Sequence, residues 1–351
     1  MFSIYLNGFE KSIYANRSHQ IPSFHVNVLV TGATGFIGSH LVELLLTKKY
    51  SVRCLVRTTS DTGWLKGLNV EYIHGDLFDH QALRNAVSDV DYVYHSAGVT
   101  KAKKKQDYYR GNTEGTRNIL NAVREHRPQI KRFVQISSQA AVGPSPTREP
   151  IAEETPAHPL TTYGKSKWLA EEECQEAANA IPVTIVRPPV VYGPRDKDVF
   201  EFFNTMSKGL QPMVGFNEKL VSMLHVGDVV RGFVMAGESE KAAGQTYFIS
   251  SKKTHGWREI GDVTRQAMDT RAFRVRIPES AIYIIAAFAE LFSLMSSKPA
   301  LINFEKARDM VQDYWTASGE KAQRDFGFEQ QISLADGIRD SIQWYKKHNL
   351  L

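Results

Sequence analysis

The run VLVTGATGFIG at residues 28–38 constrains this chain more than any other stretch. Four apolar and β-branched residues, 28–31, stop at Gly32, and two further glycines follow at Gly35 and Gly38. Behind them Ile37, Leu41, Leu44 and Leu45 fall on one helical face. That pattern predicts a strand, a tight turn and a helix. Such a turn aims backbone N–H groups and the positive end of a helix at one point. A diphosphate fits there, because no side chain at the glycines blocks its approach. A glycine triplet alone says little; a strand before it and a helix after it supply the context the motif needs.

At 351 residues, the chain is long enough for one large domain or two interleaved lobes. With 42% hydrophobic and 23% charged residues, it has the composition of a globular protein with a real core. A formal charge of +5 is too small an excess for nucleic acid to be expected as a partner, and it suits an anionic cofactor or an acidic membrane surface. Cys54 and Cys174 have no metal or redox spacing, so no metal site is expected, and a reduced, cytoplasmic protein is the simplest reading. The first residues lack the basic start and long apolar core of a secretory signal. Residues 1–25 show no clear period and are expected to be an extension outside the fold, with a short added helix or strand as the alternative.

Further strands are predicted at 51–57, 70–74, 92–95, 132–137 and 183–187, with helical segments between them and a late strand at 246–249. The alternation argues for an α/β fold with a doubly wound parallel sheet. Residues 26–194 would form the dinucleotide-binding domain. Residues 195–351 would form mainly a smaller substrate-binding lobe, interleaved with late elements of the sheet.

In this architecture the end of the second strand meets the adenine ribose. An acid there selects NAD, and a guanidinium pairs with the 2′-phosphate of NADP. Arg57 stands at that position, with Arg53 nearby and Thr58, Thr59 and Ser60 as hydroxyl donors. NADP(H) is therefore the expected cofactor, with NAD(H) as the alternative. Tyr163 and Lys167 lie four apart, so one helix face carries both. A phenol ordinarily titrates near pH 10, and a nearby ammonium should lower that value until Tyr163 can exchange a proton with a carbinol oxygen. Ser138, at a neighbouring strand end, can hold the same oxygen, and Ser137 is the alternative.

The GxxGxxG spacing, the Ser-Ser strand end, the YxxxK helix and the run RPPVVYGP at 187–194 together resemble the short-chain dehydrogenase/reductase superfamily. The likeness is to its extended branch of nucleotide-sugar epimerases, dihydroflavonol reductases and 3β-hydroxysteroid dehydrogenases, and it runs from about Val26 to the C-terminus. The resemblance implies Ser138, Tyr163 and Lys167 as catalytic residues, with Lys167 also holding the nicotinamide ribose. It implies cofactor contacts from Gly32, Thr34, Gly35, Phe36, Ile37 and Gly38 in the turn. Asp76 would meet the adenine amine with Leu77 beside it, although Asp76 could instead cap the following helix. Ser96, Ala97 and Gly98 would let the backbone pass close to the cofactor, and Pro188 and Val190 would also contact it.

Three functions are then open: an NADP(H)-dependent oxidoreductase on an alcohol/ketone pair, a nucleotide-sugar epimerase with tightly held NAD, and a catalytically silent cofactor sensor. The complete Ser138, Tyr163 and Lys167 set speaks against the sensor. Dehydratases of this family carry Thr-Asp-Glu where this chain has Ser138-Gln139-Ala140, so dehydration is not expected. Val190 replaces an asparagine that often holds the sugar nucleotide in epimerases, which favours the oxidoreductase. Phe200, Phe202 and Phe203 are expected to wall an apolar substrate site, or else to form the core of the smaller lobe. The nearly continuous apolar run 281–295 reads as a buried helix or one lying in a membrane interface. The lysines at 101 and 103–105 read as a solvated loop on the rim of the cleft. A small-molecule substrate and a homodimer complete the expectation.

Overall fold

The structure is a computed structural model that describes residues 26–293 and 303–351; the expected extension at 1–25 lies outside them. Its centre is a parallel sheet. Strands β1 (Asn27–Thr31), β2 (Ser51–Val56), β3 (Val70–His74), β4 (Tyr92–His95), β5 (Arg132–Ile136) and β6 (Val183–Arg187) are joined by a late strand, Gln245–Phe248. From that late strand the order runs β6, β5, β4, β1, β2, β3, with every neighbouring pair parallel. The strands of such a sheet are covered on both faces and therefore read as apolar runs. Val28, Leu29 and Val30 of β1 and Phe133 and Val134 of β5 are fully buried.

Helices α1 (Phe36–Thr47) and Val226–Glu238 cover one face, where Leu41, Leu45, Val230 and Phe233 pack on Val28, Val30 and Val134. Helix α2 (His80–Val87) and the helices Gly115–His126 and Thr162–Ala177 cover the other, through Leu83, Ile119, Val123 and Cys174. β1 and β4 are sheet neighbours although β2 and β3 lie between them in the sequence. The chain reverses its winding direction at this pair, the place beyond whose carboxyl ends sheets of this kind bind their ligands.

The second lobe is built from short pieces. Val190–Tyr192 pairs with Met223–His225, Leu210–Val214 pairs with Phe273–Ile277, and small strands at 220–221, 255–256 and 314–315 form a third sheet. Their core gathers Tyr192, Phe203, Ile260, Ile338 and Tyr345. Phe200 packs on Tyr345 at 4.7 Å between ring centroids and Phe202 on Trp257 at 5.5 Å. The three phenylalanines therefore form the lobe's interior; the expectation that they wall the substrate site is corrected, because their rings are taken up by other aromatic side chains.

Candidate active site

Gly32 ends β1 at a φ of +71°, and a Cβ there would stand 2.6 Å from the Ala97 nitrogen. Only glycine serves both the turn and this approach between β1 and β4. A Cβ on Gly38 would fall 2.1 Å from the Gly32 carbonyl oxygen, so the third glycine lets α1 press against the turn. Gly35 precedes α1, no side chain caps it, and no acid stands in the first turn. The first N–H groups of the helix, at Phe36 and Ile37 beside Thr34, keep the positive end of the dipole for an anion. The turn thus fits the diphosphate of a dinucleotide.

Arg57, just past β2, is exposed and has no ion-pair partner among the described residues. Arg53 does not join it: its guanidinium is held by Glu71 at 2.7 Å and by the Ser88 carbonyl at 2.6 Å. Asp76 is exposed after β3 and its Oδ1 accepts from Phe78 N at 2.8 Å. The alternative of Asp76 as a helix cap is corrected: Asp79 caps α2, accepting from Ala82 N at 2.9 Å. Leu77 lies half-buried beside Gly115. Ser96 and Ala97 follow β4 and donate their N–H groups to the Thr31 carbonyl and hydroxyl, both at 3.2 Å.

The Thr162–Ala177 helix begins at Thr161, whose hydroxyl accepts from Gly164 N at 3.1 Å. This cap fixes the first turn and sets Tyr163 and Lys167 toward the end of β5. The two serines there face different ways. Ser137 is buried and donates to Glu171 at 2.5 Å, and Glu171 also holds Arg187 in a buried ion pair of 2.6 Å. Ser138 is half-buried and hydrogen-bonds the Tyr163 phenol. Lys167 is buried and donates to the Ile136 carbonyl at 2.7 Å. Burial pushes it down to about 8, with Glu171 pulling it back up.

Burial holds the Tyr163 phenol above its ordinary range, and the Ser138 hydroxyl offsets part of that rise. The expected lowering by Lys167 is corrected here: the ammonium is turned to the Ile136 carbonyl, and burial of the phenol dominates. Beyond β6, the buried Pro188 takes the Gln139 N–H on its carbonyl at 2.9 Å, and the half-buried Val190 pairs with Met223.

Two groups had no role assigned from the sequence, although Asn112 opens an Asn…Gly-Thr pattern like that of the resembled family. Asn112, in a π-helical turn over Tyr109–Glu114, accepts from Val99 N at 2.6 Å and donates to the Val99 carbonyl and to Ser166 Oγ. It fastens the segment after Gly98 to the Tyr163 helix. His95 is buried with Thr31 Oγ1 2.7 Å from Nδ1 and Thr116 Oγ1 3.0 Å from Nε2. Burial and the nearby Lys167 push it down to about 3, so the ring is neutral. Polar residues at strand and helix ends in a sheet of apolar strands were the available signal.

The lysine run ties the rim to the second lobe: Lys101 pairs with Asp198, Lys105 lies 3.5 Å from Glu305, and Lys103 donates to the Ser293 carbonyl at 3.0 Å.

A glycine cradle at the winding reversal, an uncapped helix and a Ser-Tyr-Lys set at the adjoining strand end are now in place. Residues 28–250 match the NAD dependent epimerase/dehydratase family. The chain belongs to that family. It is an NAD(P)-dependent enzyme, an oxidoreductase or an epimerase. A ceramide reductase of Caulobacter vibrioides is 28% identical over 319 residues, covering 91% of this chain and 94% of that protein. A 2-alkyl-3-oxoalkanoate reductase of Stenotrophomonas maltophilia is 29% identical over 328 residues, covering 90% and 98%. Among solved structures, the UDP-glucuronic acid 4-epimerase of Bacillus cereus in complex with NAD shares the fold, with a TM-score of 0.75 at 23% identity over 92% of this chain and 99% of that one.

Proposed function

We propose that the protein is an NADP(H)-dependent reductase of a mainly apolar carbonyl compound. The observation that carries this reading is the half-buried Tyr163 phenol, hydrogen-bonded by Ser138 just past the carboxyl end of β5. A phenol held above its ordinary range stays protonated through neutral pH, which is the form that reduction of a carbonyl requires. Ser138 would donate a hydrogen bond to the substrate oxygen and orient it, and Tyr163 would give that oxygen its proton. Lys167, anchored on the Ile136 carbonyl, would hold the nicotinamide ribose hydroxyls. When bound, the nicotinamide supplies the hydride. Arg57 would take the 2′-phosphate of NADP, while the neighbouring Arg53 is committed to Glu71. Val190 offers no hydrogen bond to a sugar nucleotide, and the names of the two reductases, which act on a ceramide and on a 2-alkyl-3-oxoalkanoate, support a substrate with a large apolar part. A homodimer through the helices that carry Asn112 and Tyr163 accompanies this reading.

NADPH-dependent turnover across long-chain ketones and 3-oxo acids tests it. Tyr163→Phe should lower kcat by about 10²–10⁴-fold while cofactor affinity changes little, since the turn and Lys167 remain. Arg57→Ala should erase a preference for NADPH over NADH in a binding titration. Tight binding of a UDP-sugar, with no ketone reduced, would replace the reductase with an epimerase.

A further inference from the structure

Below Tyr163 and Lys167, the buried face of the Thr162–Ala177 helix carries one more charge. Lys167, Glu171 and Cys174 follow one another at one-turn intervals, and all three are buried. Glu171 is 1% exposed, and both of its carboxylate oxygens are taken. Oε1 accepts from Ser137 Oγ at 2.5 Å and from Arg187 Nε at 3.0 Å, and Oε2 accepts from Arg187 Nη2 at 2.6 Å. Further down the same face the contacts are apolar: Cys174 and Ala177 pack with Ile181, Val183 and Ile185. A buried carboxylate and guanidinium add little stability that apolar side chains of similar volume could not supply. Charge at this one level of an apolar face therefore calls for a task besides holding the helix.

That task lies one turn up. Lys167 is buried and donates to the Ile136 carbonyl at 2.7 Å. A Cβ on Gly98 would stand 4.0 Å from its Nζ and 2.9 Å from Asn112 Oδ1, which places the ammonium beside the segment that follows β4. An ammonium buried here has lost its water, and burial alone favours the neutral amine. Among the described residues, the elements around it bring no charged acid other than Glu171. β4 brings His95, which is neutral, β5 brings Ser137, and the π-helical turn brings Asn112. The helix itself brings Tyr163 and Cys174, both held in their protonated forms by burial. Arg187 arrives from β6 as a second cation, so two buried cations share one carboxylate. The guanidinium keeps its proton at any working pH. Loss of the carboxylate would therefore fall on Lys167.

We propose that Glu171 is a positioning residue, a fixed counter-charge that keeps Lys167 an ammonium anchored on the Ile136 carbonyl, with donors left for the cofactor ribose. Ser137 and Arg187 hold the carboxylate so that it cannot turn away. This role rests on Lys167 holding the nicotinamide ribose, as in the reductase reading. Burial brings Lys167 down to about 8 even with Glu171 in place. The ammonium is thus present below that pH and is lost as the pH rises through it. Without the carboxylate the loss moves down into the neutral range. The neutral amine has two N–H donors instead of three. One goes to the Ile136 carbonyl, and one remains for the ribose hydroxyls.

NADPH titrations of the full chain between pH 6 and 9, followed by nicotinamide fluorescence, test this without any turnover. Wild-type affinity should weaken as the pH rises through about 8. Glu171→Gln should bind within about twofold of wild type at pH 6 and at least about fivefold more weakly at pH 8, the effect of moving one proton equilibrium down by about a unit. Comparing the two proteins at each pH cancels any titration of the cofactor itself. A residue that only props the helix would lower Tm and leave the two profiles parallel, and that result would overturn the proposal. Glu171→Gln also leaves Arg187 buried without its carboxylate. If that variant folds poorly, Glu171→Gln/Arg187→Met removes both charges and should still show the shifted profile; a wild-type profile there would overturn the proposal equally. Lys167→Met separates the two roles, since it should bind NADPH weakly at every pH. Weak binding by it, with parallel profiles for Glu171→Gln, would leave the ribose role of Lys167 standing and remove that of Glu171. Tight binding by Lys167→Met would remove both.

Discussion

His95 is a small case of how a buried polar residue can set the behaviour of a site. Its two ring nitrogens meet the hydroxyls of Thr31 and Thr116, which lie on β1 and on the helix after Asn112. Charging the ring would place a cation in the sheet beside Lys167, so it stays neutral down to about pH 3. In the unfolded chain the same ring titrates near 6.5. Its contribution to stability is thus fully present above pH 6.5 and is lost as the pH falls from there toward 3. Between pH 7 and 5 this one group should remove about 2 kcal/mol of unfolding free energy. His95→Gln keeps a donor and an acceptor without a titrating ring. Urea unfolding at both pH values should show wild type losing more stability than the variant, and an equal loss would mean that His95 titrates as an ordinary histidine. Tyr163 carries the complementary lesson. Its spacing from Lys167 was legible in the sequence, but its proton affinity was not, because burial and the choice of a carbonyl partner by Lys167 depend on the packed helix.

Among the elements, the turn between β1 and α1 is where local sequence and tertiary geometry agree most closely. Its glycines are required by contacts with two different partners, Ala97 on the neighbouring strand end and the carbonyl of Gly32 itself. Gly38→Ala would push a methyl group to 2.1 Å from that oxygen. Helix α1 would have to move away from the turn, which also aims its N–H groups elsewhere. Calorimetry should show a lower Tm and NADPH affinity reduced by at least about tenfold; an unchanged affinity would mean that the turn does not hold the diphosphate. The strands at 70–74, 92–95 and 183–187 were legible to the residue, since short runs of β-branched and aromatic residues between helical segments need no knowledge of their neighbours. The pair Leu210–Val214 and Phe273–Ile277 was not, because its partners are distant in sequence and Phe273 and Val275 stay exposed. The phenylalanines at 200–203 were ambiguous for a related reason: an aromatic cluster looks the same in sequence whether it faces a ligand or Tyr345 and Trp257.

At the scale of the molecule, the division at residue 194 meets the path of the chain. The sheet takes its last strand, Gln245–Phe248, from beyond that point, and Phe248 N donates to Glu153 at 2.7 Å. Thr184 of β6 donates to the Ala242 carbonyl at 2.5 Å, and Arg187 stands 5.4 Å from the Phe248 ring. One face of the sheet is closed by Val226, Val229, Val230, Phe233 and Val234, with Ala322 and Phe328 from near the C-terminus in the same cluster. A fragment of residues 26–194 would carry the whole glycine turn and the Ser138, Tyr163 and Lys167 set. It would also expose the Val28–Val134 face of the sheet and leave β6 as an open edge, which favours aggregation over folding. The expected result is a fragment without a cooperative thermal transition and without a rise in Tm on adding NADPH, whereas the full chain shows both. A sharp melt that NADPH moves upward in the fragment would establish residues 26–194 as a domain that folds by itself. It would also relegate the later strand and helices to an accessory layer rather than part of the cofactor-binding fold.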